Sequence, residues 1–249
     1  MPERPPILFI HGAFSQGGHC AAWAEFFSAA GFDCHAPSLP GHEPSDQRAL
    51  AHLGMDDYLA ALKAARAALP QPPIVIGHSM GGLLGQQLAA TGPCAALVCL
   101  AAAPPWRLKP QPRSLPYFLP LGPRILAGLP LVPREATLRH LALHDLPESE
   151  QAELLSGLVA ESGRAYRAMV LGTARVDASA VCCPVLCVNG DQDRIVAWKI
   201  SREIAARYRG DHLLLQGRGH WLLSRTGHES AAGAVLRWLE RKVSAPHPR

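Results

Sequence analysis

The chain has no long hydrophobic run. Near its start the apolar stretch Ile7–Ile10 is only four residues, bounded by prolines before it and His11-Gly12 after it. That is too short for the core of a signal peptide or for a membrane span, so no stable membrane insertion and a cytoplasmic location are expected. Charge is also scarce: Asp, Glu, Lys and Arg make up 18% of the residues, with a net charge of +4. There is no dense Lys/Arg stripe of the kind nucleic-acid binding needs. The seven cysteines include no CxxC pair, which excludes the usual zinc and dithiol-redox spacings. Several lie inside apolar runs, such as "ALVCLAAAP", and are expected to be buried and reduced. No P-loop or dinucleotide fingerprint occurs: "GGLLG" lacks the lysine. There are no internal repeats, and only the terminal "SAPHPR" has the composition of a disordered tail.

What is present is apolar and alternating. Hydrophobic residues make up 48% of the 249, enough for one large domain. Short apolar runs at 7–10, 74–78, 95–102 and in "PVLCVNG" and "HLLLQG" are separated by helical patterns. The clearest of these is "MDDYLAALKAARAALP", with acids in its first turn and a proline after its end. "FDCHAPSLPGH" (32–42) reads as a strand running into a loop. Strands that are apolar throughout, alternating with helices, imply a mostly parallel sheet covered on both faces, an α/β fold. Residues 104–178 break the alternation, with a proline-rich stretch followed by three helical patterns. This segment is expected to be a helical cap inserted into a core made of 1–103 and 179–249.

In such sheets the site lies beyond the carboxyl ends of the strands. Residues at those positions include Ser79, in Gly77-His78-Ser79-Met80-Gly81, Asp191 and Asp193 in "NGDQDRIV", and His220 in "QGRGHWLL". Gly-x-Ser-x-Gly between a strand and a helix describes a tight turn that pushes a serine oxygen outward. A serine hydroxyl needs a base, and His220 follows the last strand; His78, adjacent to the serine, points elsewhere at such a turn. An acid must orient the base, and the strand after the serine ends in "CLAAAPPW", which has none. The pair Asp191 and Asp193 is therefore left. Acyl transfer also requires donors for an oxyanion, and the backbone N–H groups of Ala13 and Met80 are the candidates.

Together these residues resemble the α/β-hydrolase superfamily. "HGAF" is similar to its oxyanion loop, "GHSMGG" to its nucleophile elbow, "GDQDRIV" to its Gly-x-x-Asp motif and "GRGHWLL" to its Gly-x-x-His region. The resemblance implies that Asp193, the final residue of its motif, is the acid, in the order Ser79, Asp193, His220. It implies a serine esterase acting through an acyl-enzyme, with no cofactor and no metal. "HGAFSQGGHCAAW" is similar to the opening of the methylesterase and hydroxynitrile-lyase branch, but Ala13 stands where the lyases usually carry threonine or asparagine, which favours ester cleavage.

The cap is basic in its first part: Arg107, Lys109, Arg113, Arg124, Arg134 and Arg139 face a single acid, Glu135. Phe14, Trp106, Tyr117, Phe118 and Trp221 are expected to line an apolar substrate pocket. His140 and His144 have a helical metal-binding spacing but no intervening glutamate. The expected partner is a small-molecule ester, or a thioester if the basic cap meets an anionic carrier. C–C bond hydrolysis, a lyase activity and a non-catalytic receptor on the same fold are alternatives, and a homodimer is compatible with all of them.

Overall fold

The computed structural model describes residues 4–43 and 45–243; the tail "SAPHPR" lies outside them. Six strands form one sheet in the order β2-β1-β3-β4-β5-β6, with every neighbouring pair parallel. They are β1 (Ile7–Ile10), β2 (Cys34–His35), β3 (Ile74–His78), β4 (Ala96–Leu100), β5 (Val185–Gly190) and β6 (Asp211–Leu215). The run 32–42, expected to be a strand running into a loop, forms the two-residue β2 and then a loop. Prolines 37 and 40 explain this, because neither can donate a ladder hydrogen bond.

Side chains alternate along a strand, and here both faces are apolar. Leu8, Ile10, Val75, Leu97, Cys99 and Cys187 enter one core. There they pack under α2 (Met55–Ala67), α3 (Met80–Ala90) and α9 (Trp198–Arg207). Ile7, Phe9, Ile74, Ile76, Val98 and Val188 enter the other, under α1 (Ala21–Ala29) and α10 (His228–Val243). This two-sided burial is why the strands read as unbroken apolar runs. No disulfide joins any of the seven cysteines, and Cys182, just ahead of β5, is exposed.

Between β4 and β5 lie α4 (Leu115–Phe118), α5 (Gly122–Ala127), α6 (Glu135–Leu141), α7 (Glu148–Ser156) and α8 (Gly163–Leu171). The only extended pairing recorded there is an isolated antiparallel bridge, Leu131 with Glu161. This insertion is hydrogen-bonded to the loops that leave the strands. Val159 N–H donates to Phe14 O (3.0 Å) after β1, and Trp221 N–H after β6 donates to Ala142 O (3.2 Å). Gln111 Nε2 donates to Asp193 O (2.8 Å) after β5. No helix among the described residues is long and apolar enough to cross a membrane.

Candidate active site

The chain passes from β1 outward to β2 and then back across to β3, so the sheet order reverses between β1 and β3. A crevice opens at such a reversal, and Ser79 directly follows β3 there. Its φ is +54° and its ψ −117°, a strained conformation for a residue bearing a side chain. The turn is held by Ser79 N–H to Leu100 O (2.9 Å) and by Ala103 N–H to Ser79 O (3.0 Å). The glycines are required by proximity. A Cβ on Gly81 would collide with the carbonyl oxygens of Ile10 and His11, and one on Gly77 with the backbone of Gly81.

Ser79 Oγ lies 3.0 Å from His220 Nε2, and His220 Nδ1 lies 2.8 Å from Asp193 Oδ2. His220 is 4% exposed and Asp193 5%. The Asp193 carboxylate is fixed by further donors: the N–H groups of Ile195 (2.8 Å) and Val196 (2.9 Å) on Oδ1, and Asn189 Nδ2 (3.3 Å) on Oδ2. Asp191 is turned away from this chain, and its Oδ1 accepts from Gly217 N–H at 2.7 Å. A carboxylate, an imidazole and a hydroxyl in one hydrogen-bonded line can move a proton off the hydroxyl as it attacks a carbon.

His78 has a supporting place. Its Nε2 donates to the backbone O of His220 at 2.9 Å, so the ring braces the loop that carries the other histidine. Burial, with the nearby His220, lowers its pKa to about 3 and keeps it neutral. His11 is likewise neutral at a pKa of about 3, chiefly through burial. Its Nδ1 donates to Gly12 O (2.9 Å) and its Nε2 accepts from Leu39 N–H (2.9 Å), which is loop architecture.

Ala13, Phe14, Phe118 and Trp221 line the cavity above Ser79, together with Leu121, Leu138 and Met169. Trp106 and Tyr117 are placed elsewhere. Trp106 borders a separate groove with Arg175 and Arg207, and Tyr117 stacks on His140 with ring centroids 4.8 Å apart. His140 is therefore an aromatic partner, and no group of three metal-ligating side chains occurs among the described residues. Gly12 packs on the serine: a Cβ there would meet Ser79 Cβ at 3.2 Å. Met80, the first residue of α3, has an N–H with no partner inside its helix.

Two carboxylates that sequence patterning does not mark lie close to these loops. Asp145 Oδ2 accepts from Gly219 N–H (2.8 Å) and from Arg218 Nε (3.2 Å), next to His220. Glu161, fully buried, accepts from Tyr58 Oη (2.8 Å), Ser162 N–H (2.7 Å) and His42 Nε2 (3.0 Å). Both sit in the insertion, and apart from Ser162 their partners are far along the chain, so no local pattern announces them.

Among curated proteins, the chain is 35% identical to a pyrethroid hydrolase of Sphingobium wenxiniae over 98 residues, 39% of this chain and 35% of that one. That match therefore spans about a third of the relative's length. A 25% identity covers 96% of the chain and 88% of the magnesium-chelatase 30 kDa subunit of Rhodobacter capsulatus. Among solved structures, a methylesterase from Arabidopsis superposes with a TM-score of 0.75 at 17% identity, covering 96% of this chain and 100% of that one. A pyrethroid hydrolase from Sphingobium faniae superposes with a TM-score of 0.73 at 23% identity, covering 97% and 99%. At these identities the structural likeness establishes the fold, and the family model for the alpha/beta hydrolase fold matches residues 5–224. With the parallel sheet and the strained Ser79 turn, that match places the chain in the α/β-hydrolase family.

Proposed function

We propose that the protein is a serine hydrolase that cleaves a carboxylic ester of a small to medium apolar substrate through an acyl-enzyme. The observation that carries this reading is the line Ser79 Oγ–His220 Nε2–Asp193, with contacts of 3.0 and 2.8 Å, at the floor of a largely apolar cavity. Ser79 Oγ attacks the ester carbonyl while His220 Nε2 takes its proton. Asp193, held by its other donors, keeps the ring oriented and balances the imidazolium. The N–H groups of Ala13 and Met80 receive the oxyanion, Met80 with the added field of a helix N-terminus. Collapse of the tetrahedral adduct breaks the ester C–O bond, and the alkoxide leaves with the proton from His220. Water then repeats the sequence: His220 takes its proton, the hydroxide adds to the acyl carbon, and Ser79 leaves with the proton. The name of the methylesterase, an ester-cleaving enzyme, and that of the pyrethroid hydrolase, a hydrolase, support this reaction class.

Labelling with a fluorophosphonate probe tests the nucleophile. Ser79 takes the label, and Ser79→Ala loses it together with p-nitrophenyl ester hydrolysis. Wild-type protein that stays unlabelled at Ser79 sinks the reading. A chain-length series of p-nitrophenyl esters and their thioester counterparts then ranks the acyl and leaving groups.

A further inference from the structure

The insertion holds residue 14 of the loop after β1 from both sides. Phe14 O accepts from Val159 N–H (3.0 Å), and Phe14 N–H points at Glu161 Oε2 (3.4 Å). Next along, Gln16 Nε2 donates to Gly157 O (2.9 Å). Phe14 has φ +63°, a left-handed conformation that a residue with a side chain rarely adopts unless its surroundings impose it. The Glu161 carboxylate is itself pinned. Tyr58 Oη and Ser162 N–H occupy Oε1, and His42 Nε2 shares Oε2 with Phe14. The Nδ1 of His42 donates to Pro40 O (3.2 Å), so both of its nitrogens face acceptors, the arrangement of a cation. Burial opposes that charge, but the hydrogen bond and charge of Glu161 outweigh it and raise the His42 pKa. A fully buried carboxylate is thus compensated on every side, and one of its contacts is with the oxyanion loop.

We propose that Glu161 is a positioning residue: from the insertion, its carboxylate fixes the Ala13–Phe14 peptide and so aims the Ala13 N–H at the carbonyl oxygen above Ser79. This rests on the ester reading. Ala13 N–H is separated from the gripped peptide only by the φ and ψ of Ala13. A small rotation there misaims a donor whose complete loss costs about 10²–10³ in rate. Seating of the insertion and completion of the oxyanion site are then one event.

The test is Glu161→Gln. A carboxamide keeps the volume but must turn its NH2 toward either the Phe14 N–H or the Ser162 N–H, and both are donors. The readouts are kcat and KM for p-nitrophenyl butyrate and the Ki of a trifluoromethyl ketone, which forms an oxyanion adduct. A tenfold or greater fall in kcat is expected, with KM within about twofold and Ki rising in step with the loss of kcat/KM. Tyr58→Phe removes another donor from the same carboxylate without touching Phe14, and keeps kcat within about threefold of wild type. If Glu161→Gln melts earlier but turns over normally while folded, or if Tyr58→Phe loses as much kcat, the carboxylate only holds the fold and the inference is overturned. Should Glu161→Gln not fold, Glu161→Asp keeps the charge and withdraws it from Phe14; an unchanged kcat in that variant overturns the inference equally. Wild-type protein without esterase activity defeats the ester reading and this inference with it. Active wild type with unaffected variants defeats this inference alone.

Discussion

Asp193 accepts from His220, while Asp191, two residues earlier, accepts from the backbone of Gly217. The two carboxylates are therefore separable by mutation. Asp193→Asn leaves the shape intact but removes the charge that holds the ring, and kcat for p-nitrophenyl butyrate should fall about 10⁴-fold. Asp191→Asn keeps an acceptor oxygen for Gly217 and should cost less than about tenfold. A larger loss from Asp191 would reverse the assignment. Sequence alone left both aspartates open, and the family motif chose between them. His220 was legible from its place after the last strand. The use of His78 was not, because its bond to His220 O joins residues 142 positions apart.

At the scale of elements, the loop bearing His220 is fastened to the insertion. Asp145 is 4% exposed at its side chain, and it binds both Gly219 N–H and Arg218. Asp145→Ala leaves the Gly219 N–H and the partly exposed Arg218 Nε without their acceptor, so a loss of about 1–3 kcal/mol is expected in chemical denaturation. A lowered kcat should accompany it as His220 loosens. An unchanged stability would show that the loop is held elsewhere. The elbow has no such slack: Gly81→Ala drives a methyl into the Ile10 and His11 carbonyls. It should cost about 2–3 kcal/mol or prevent folding, as measured by thermal melting of the purified variant. The long elements were readable because periodicity is a local property. Both cores draw on alternate residues of the same strands, and α2, α3, α9 and α10 follow their helical patterns. Elements governed by contacts distant in sequence were not readable. The proline-rich stretch hides α4 and α5, and Trp106 and Tyr117, whose aromatic character suggests pocket walls, pack elsewhere.

Across the whole molecule, buried histidines set the response to acid. His11 and His78 have pKa values near 3 when folded and the ordinary value of 6.5 when unfolded. Between those limits the unfolded chain binds more protons, so stability falls as pH drops below 6.5. From pH 6.5 to 5 each group removes about 2 kcal/mol. His42 has the opposite sign: its pKa is raised, so its contribution is complete below 6.5 and is lost as pH rises through the folded value. It cannot offset the acid loss, and the urea midpoint should be clearly lower at pH 5 than at pH 7. An equal or higher midpoint at pH 5 would contradict the neutral assignment of both rings. The distribution of thiols has a practical consequence. Cys20, Cys99 and Cys187 are buried, and burial raises the pKa of Cys34, Cys94 and Cys183, the last to about 12. Cys182 is exposed and precedes β5, at the end of the sheet away from Ser79. One equivalent of a maleimide dye at neutral pH should give a single adduct there by peptide mass mapping, with esterase turnover unchanged. The protein thus carries its own attachment point, from which it can be tethered to a surface with its cavity facing the solution.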